Sequence, residues 1–227
     1  MTTALLFDLD GTLVDSDAEH LVAFQRAFAP HGIELDRLEY AANIMGASNA
    51  VIARRYLARL APREQAATLD AKEAAYRDAL GDLEPIPGAM ALLDYADRRG
   101  LERAVVTNAP RANAEKVLSA LGIAQRLPIL VIGGELARSK PDPLPYLTAL
   151  KLTGALAPHS VAFEDSLSGV RAAHAAGLAV IGMTTTINST TLIEAGATFA
   201  AQDFTDPRIV ELIEARLHSG ADKGAYV

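Results

Sequence analysis

The sequence predicts an α/β protein: a doubly wound, Rossmann-like parallel sheet interrupted by an all-helical insert. Three observations predict it. From residue 85 onward, short continuous apolar runs alternate with helical stretches, the pattern of parallel strands covered on both faces. One further apolar run, Ala4-Leu5-Leu6-Phe7, stands apart at the start. Between the two, residues 16–83 show helical spacing and no strand alternation, and they are too many for a loop. The expected organisation is a discontinuous core, residues 1–15 and 84–227, with a helical cap of residues 16–83 joined to it by two hinges, near Leu13–Ser16 and Leu83–Gly88.

The first strand runs into Asp8-Leu9-Asp10-Gly11-Thr12. In the cap, Leu21, Phe24, Ala27 and Phe28 recur at helical spacing, and Pro30-His31-Gly32 closes that helix. Ser48 is placed to cap a second helix carrying Val51, Ile52, Tyr56 and Leu57, and Pro62 suits the first turn of a third that reaches Gly81. The core then reads as helix 88–99, strand 104–106 ending in Thr107-Asn108, helix 111–121, strand 128–132 ending in Gly133-Gly134, and helix 142–151. Strand 161–163 ends in Glu164-Asp165. Helix 167–176, strand 178–182, a short helix at 190–195, a weak strand at 198–200 and a helix at 207–217 complete it, and residues 219–227 read as a loose tail.

Composition bounds the function. The chain has 227 residues, half of them hydrophobic, with no Cys or Trp and a formal charge of -7. That charge argues against nucleic acid as a partner, since a phosphate-backbone binder needs a basic stripe. The lack of Cys excludes disulfide and thiolate chemistry. No apolar run approaches the ~20 residues of a membrane span, and the start shows no basic, cleavable leader. The expectation is a cytoplasmic protein with no membrane partner, a monomer or weak dimer.

The strand ends carry the chemistry. Residues two apart on a strand face the same way, so Asp8 and Asp10 converge. At ~4 Å two such charges repel by about 1 kcal/mol in water and about 4 kcal/mol at an effective dielectric of ~20. Clusters of this kind hold a cation or keep a carboxyl protonated. Ligands of open parallel sheets bind at the carboxyl ends of the strands, where Asp8/Asp10, Thr107/Asn108 and Glu164/Asp165 meet. Asp8, Glu164 and Asp165 are hard oxygen donors suited to Mg2+. Thr107 and Asn108 offer hydroxyl, amide and backbone N–H groups to a phosphoryl group. Lys140, in the proline-stiffened turn Ser139-Lys140-Pro141-Asp142-Pro143, supplies a fixed positive charge. The set suits phosphoryl transfer, in which positioning and electrostatics dominate.

Four motifs in order, Asp8-Leu9-Asp10-Gly11-Thr12, Val106-Thr107-Asn108, Ser139-Lys140-Pro141 and Phe163-Glu164-Asp165-Ser166, make the chain resemble the haloacid dehalogenase superfamily. The likeness is to its phosphatase and phosphomutase branch, with a helical cap after the first strand. It implies Asp8 as nucleophile and Asp10 as acid/base. It implies Mg2+ held by Asp8, the Asp10 backbone carbonyl and Asp165, with Glu164 direct or through water, and Thr107 and Lys140 on the phosphoryl group. An acidic Asp10 argues against dehalogenation.

The cap sets specificity in that superfamily. His20 and the loop Gly46-Ala47-Ser48-Asn49 resemble cap segments of β-phosphoglucomutase and sugar-phosphate phosphatases, so His20, Ser48, Asn49 and Lys72 are substrate candidates, with Tyr76 one turn from Lys72. The mutase carries Arg where Asn49 stands, with Arg54 and Arg55 as the available substitutes. The expected function is a Mg2+-dependent phosphatase of a small phosphorylated metabolite, a sugar phosphate or phosphoglycolate-like acid. The alternatives are a β-phosphoglucomutase-like isomerase and a non-catalytic binding protein on the same fold.

Overall fold

A computed structural model describes residues 2–218; the predicted loose tail at 219–227 lies outside the described residues. Six strands form one parallel sheet: β1 (Ala4–Phe7), β2 (Glu102–Thr107), β3 (Ile129–Ile132), β4 (Val161–Glu164), β5 (Ala179–Met183) and β6 (Phe199–Ala201), in the order β3-β2-β1-β4-β5-β6. β1 is central. Phe7 pairs with Val105 of β2 on one side and with Phe163 of β4 on the other. The strand order reverses beside β1, and the crevice of a doubly wound sheet opens at such a switch point.

Alternation along each buried strand feeds two cores. Leu5, Phe7, Val105, Val161, Phe163, Ile181 and Met183 enter one. Ala4, Leu6, Ala104, Val106, Ala162 and Val180 enter the other. Helices α5 (Ala89–Arg99), α6 (Arg111–Ala120), α7 (Leu144–Thr153), α8 (Leu167–Ala175), α9 (Ser189–Glu194) and α10 (Pro207–His218) flank the sheet. The observed elements match the expected ones within two residues at each boundary.

Between β1 and α5 lie α1 (Asp17–Phe28), α2 (Arg37–Asn43), α3 (Asn49–Tyr56) and α4 (Pro62–Ala79). They share a third apolar cluster built on Phe24, Phe28, Tyr40, Ile44, Ile52 and Leu69. The two connecting segments run side by side, with Val14 bridged to Pro85 and the Ile86 N–H donating to the Leu13 carbonyl at 2.9 Å.

Two local details differ from expectation. Helix α2 is too short to show a long apolar stripe, burying Tyr40 within its bounds while Leu38 is 80% exposed, and it is started by Asp36, whose carboxylate accepts the Glu39 N–H at 2.7 Å. Ser48 does stand at the start of α3, but its side chain makes no capping bond. Its hydroxyl lies 3.2 Å from the Ser139 hydroxyl of the core. Among the described residues, no helix is long and apolar enough to cross a membrane.

Candidate active site

The floor of the site follows from β1. Because β1 pairs on both sides, its end cannot splay, and the Asp8 N–H continues the ladder to the Phe163 carbonyl at 3.0 Å. Gly11, at φ +73°, then turns the chain away, and a Cβ there would collide with the Asp165 carboxylate. Asp8, Glu164 and Asp165 are all buried and bring one oxygen each within 4.8 Å of one another. Thr12 Oγ1 donates to Asp165 at 3.1 Å.

Lys140 answers part of that charge. Its ammonium donates to Asp8 Oδ1 at 2.8 Å and to Glu164 Oε1. Burial opposes the charged ammonium, yet the two carboxylates hold its pKa above the usual lysine value. The balance on the acids runs the other way. Burial, with Glu164 adding and Lys140 opposing, pushes the Asp8 carboxyl up to about 7. Burial and the charges of Asp8 and Glu164 raise Asp165 well above the carboxylate range. Three converging carboxylates that are costly to ionise together form a donor set that fits a hard divalent cation.

Glu164 differs from the other two. Its Oε1 also accepts from Tyr146 Oη and its Oε2 from Ser166 Oγ at 3.2 Å. A Cβ at Gly169 would overlap its carboxylate. Glu164 does not line the cavity, whereas Asp8 and Asp165 do; its geometry holds Lys140 in place. Tyr146 escaped the sequence reading, although a phenol in an apolar helix needs a partner for its O–H.

Asp10 faces the other way, toward the cap. Its Oδ1 accepts from Ser16 Oγ at 2.6 Å and Tyr76 Oη at 3.3 Å, and His20 Nε2 lies 3.4 Å away. Burial works against its charge, but His20, Ser16 and Lys72 together hold the carboxyl at about 2. His20 is buried, with its ring stacked on Tyr76 at 3.8 Å between centroids. Lys72 Nζ donates to His20 Nδ1 at 2.9 Å.

The roof continues from Lys72. Its ammonium donates to Glu73 Oε2 at 3.0 Å and lies 4.0 Å from the centroid of the Phe24 ring. Asn49 Nδ2 donates to Glu73 Oε1 at 2.9 Å, and Asn113 Nδ2, on α6 of the core, donates to Oε2 at 2.6 Å. Arg77 holds the Asn113 carbonyl at 2.7 Å. Glu73 and Asn113 were missed in the sequence because they lie 40 residues apart, and Asn49 lies 24 residues from Glu73. Arg54 and Arg55 are exposed and do not line the cavity.

Thr107 lines the cavity, its hydroxyl accepting the Ala109 N–H at 3.0 Å. Asn108 lines it too, but its side chain is engaged: Nδ2 donates to the carbonyls of Gly46 at 2.8 Å and Lys140 at 3.3 Å, and Oδ1 accepts the Lys140 N–H. Ser168 Oγ also donates to the Gly46 carbonyl at 2.8 Å. Thr186, in the polar loop after β5, donates to Asp17 of α1. The helical region is thus tied to the core at Gly46, Ser48 and Asp17, over a cavity of about 70 Å³ with Asp8, Asp10 and Asp165 on its floor and Asn49, Lys72 and Glu73 in its roof.

A doubly wound sheet with buried acids and a buried lysine at its strand ends, roofed by inserted helices, defines a capped α/β enzyme. Residues 5–183 match the family model of haloacid dehalogenase-like hydrolases. The chain belongs to that family, and it is a phosphatase. It is 39% identical over 187 residues to a plasmid-encoded phosphoglycolate phosphatase of Cupriavidus necator, covering 78% of this chain and 79% of that one. It is 34% identical over 201 residues to the validoxylamine A 7'-phosphate phosphatase of Streptomyces hygroscopicus subsp. limoneus, covering 86% and 92%. Among solved structures, CbbY from Rhodobacter sphaeroides in complex with xylulose-(1,5)-bisphosphate superposes with a TM-score of 0.77 at 32% identity, covering 91% of this chain and 96% of that one.

Proposed function

We propose that this phosphatase is Mg2+-dependent, acts on a small phosphomonoester and works through a phosphoryl group carried on Asp8. The observation that carries the reading is the division between two carboxylates two residues apart. Asp8 lies among the floor acids Glu164 and Asp165 with Lys140 at 2.8 Å, where a cation and a phosphoryl group would meet it, and Asp10 turns toward Ser16, His20 and Tyr76 beneath the roof, where a leaving group would lie. Carboxylates whose environments push them apart take different roles.

Asp8, Asp165 and the Asp10 backbone carbonyl would hold Mg2+, with Glu164 behind them. The ion would offset the repulsion between the Asp8 carboxylate and a phosphate dianion. In the first half-reaction an Asp8 oxygen bonds to phosphorus, the bond to the leaving oxygen breaks, and protonated Asp10 gives that oxygen its proton. In the second, Asp10 takes a proton from water as the water oxygen bonds to phosphorus. The bond to Asp8 then breaks and inorganic phosphate leaves. In the free site Asp10 is ionised, its base form; the negative charge of a bound phosphoryl group raises it toward the acid form. Lys140 and Thr107 hold the phosphoryl oxygens, and the Asn108 side chain ties the cap loop to the core.

The division into a core of residues 1–15 and 84–227 and a cap of residues 16–83 belongs to the same proposal, with the paired segments at Val14 and Pro85 as the hinge. Phosphate release from a panel of phosphomonoesters, with Mg2+ and with chelator, tests the reading. Asp8→Asn is expected to lower release by about 10³-fold or more, roughly 4 kcal/mol of barrier. Release that survives this substitution, or that ignores the chelator, contradicts the reading.

A further inference from the structure

The charges in the roof point to the kind of leaving group the site accepts. The cavity is lined by five acids, Asp8, Asp10, Asp17, Glu73 and Asp165, and by two lysines. Both lysines are already paired, Lys140 with Asp8 and Glu164, and Lys72 with Glu73 and His20. No arginine lines the cavity among the described residues. The roof that a second anionic group would meet holds Asn49, Glu73 and Lys72, and the lysine is already engaged by Glu73 at 3.0 Å. Burial opposes the Glu73 charge, yet Lys72 and the Asn49 amide hold its carboxyl below the usual range, so Glu73 stays ionised at neutral pH.

Glu73 also keeps capacity to accept. A carboxylate has about four lone-pair positions, of which Asn49, Lys72 and Asn113 take three. Asn49 keeps its carbonyl oxygen and a second N–H. Asn113 and Arg77 fix the far side of the carboxylate to the core, so its position is set before substrate arrives.

We propose that Glu73 is a specificity-determining residue: it accepts a hydrogen bond from a hydroxyl or ammonium group of the leaving group, and its charge rejects substrates with a second phosphate or a carboxylate beneath the cap. The substrate class is then the phosphomonoester of a polyol or amino-polyol, in preference to sugar bisphosphates and phospho-acids. This rests on the phosphatase reading of the same site.

A matched pair tests it, because sorbitol 6-phosphate and 6-phosphogluconate differ only in a terminal CH2OH against a carboxylate. The wild-type protein is expected to favour sorbitol 6-phosphate and glucosamine 6-phosphate over 6-phosphogluconate at least tenfold in kcat/KM. Glu73→Gln is expected to narrow that ratio at least fivefold, chiefly through KM. Asp70→Asn removes an exposed charge from the same helix outside the cavity, and is expected to leave the ratio within twofold. A wild-type preference for the phospho-acid overturns the proposal without any variant, and so does a ratio that Glu73→Gln leaves unchanged. The phosphatase reading is read separately, from p-nitrophenyl phosphate hydrolysis that is lost in Asp8→Asn. If wild type releases phosphate from none of these esters, that reading falls and this proposal with it.

Discussion

Two lysines are buried among the described residues, one in each half of the site, and they are held differently. Lys140 sits between Asp8 and Glu164, and every partner of its ammonium belongs to the core. Lys72 sits on α4, and its network reaches the core only across the divide, through His20 to Asp10 and through Glu73 to Asn113. The contrast separates two tasks. The charge arrangement around Asp8 is assembled within one unit and does not need the cap. The environment of Asp10, the proposed proton carrier, is completed by Ser16, His20 and Tyr76 of the helical region. On the proposed roles, attack belongs to the sheet, and control of the proton and of the leaving group belongs to the docked helices.

The largest expected effect separates the two lysines by stability. Lys140→Met leaves Asp8 and Glu164 buried without their cation, and breaking a buried pair in this way costs about 3–5 kcal/mol. Lys72→Met also breaks a buried pair, but it leaves one carboxylate without its cation rather than two, and Glu73 stays bonded to Asn49 and Asn113, so the cost is expected at the lower end, about 3 kcal/mol. Urea unfolding without added metal measures both, and equal costs would erase the distinction.

A divalent cation is expected to act on the floor alone, with a sign set by pH. Asp8 is raised from the ordinary carboxylate value to about 7, so the folded, metal-free protein keeps a proton that the unfolded chain loses near pH 4. Its contribution to stability is present below pH 4 and is lost as pH rises toward and through 7. Asp10, held at about 2, contributes in the opposite sense: its stabilisation is present above pH 4 and is lost as pH falls toward 2. Added Mg2+ must displace the Asp8 proton, so its stabilisation at saturation, about 2.7 kcal/mol at a hundredfold excess over Kd, is expected near pH 8 and should shrink toward pH 5. Thermal melts with and without Mg2+ across that range read it. A Mg2+ shift independent of pH would place the ion away from Asp8.

The smallest effect concerns docking. Asn108 and Ser168 both grip the Gly46 carbonyl, and removing the Ser168 hydroxyl costs about 1 kcal/mol of the docked state. Ser168→Ala is expected to raise KM a few-fold while Asp8 keeps its environment, so the pH dependence of Mg2+ stabilisation stays as in wild type.

The sheet and its floor were legible because buried parallel strands are continuous apolar runs, and each functional strand ends abruptly in polar residues. Asp8, Thr107 and Asp165 needed only that rule to be brought together. The roof was legible in its residue types but not in its contacts. His20 and Lys72 were candidates, but that they bond to each other depends on how α1 packs against α4. Glu73 stands beside Lys72 in the sequence and looks like an ordinary helical charge; its burial arises only when α4 meets α6. Asn108 was expected on the phosphoryl group, yet its amide holds Gly46, because the cap loop comes down where no short-range pattern announces it. Helix α2 was hidden because it is too short to show the apolar stripe that reveals its neighbours.

The central claim is that Asp8 carries the phosphoryl group while Asp10 moves protons. It is tested most directly by trapping the acyl phosphate. Asp10→Ala, incubated with Mg2+ and p-nitrophenyl phosphate, whose leaving group departs without an acid, then quenched and reduced with borohydride, is expected to convert residue 8 to homoserine, read by peptide mass, with no conversion in Asp8→Asn. Conversion at another carboxylate, or wild-type turnover with no residue 8 conversion in either the wild-type protein or Asp10→Ala, would contradict it.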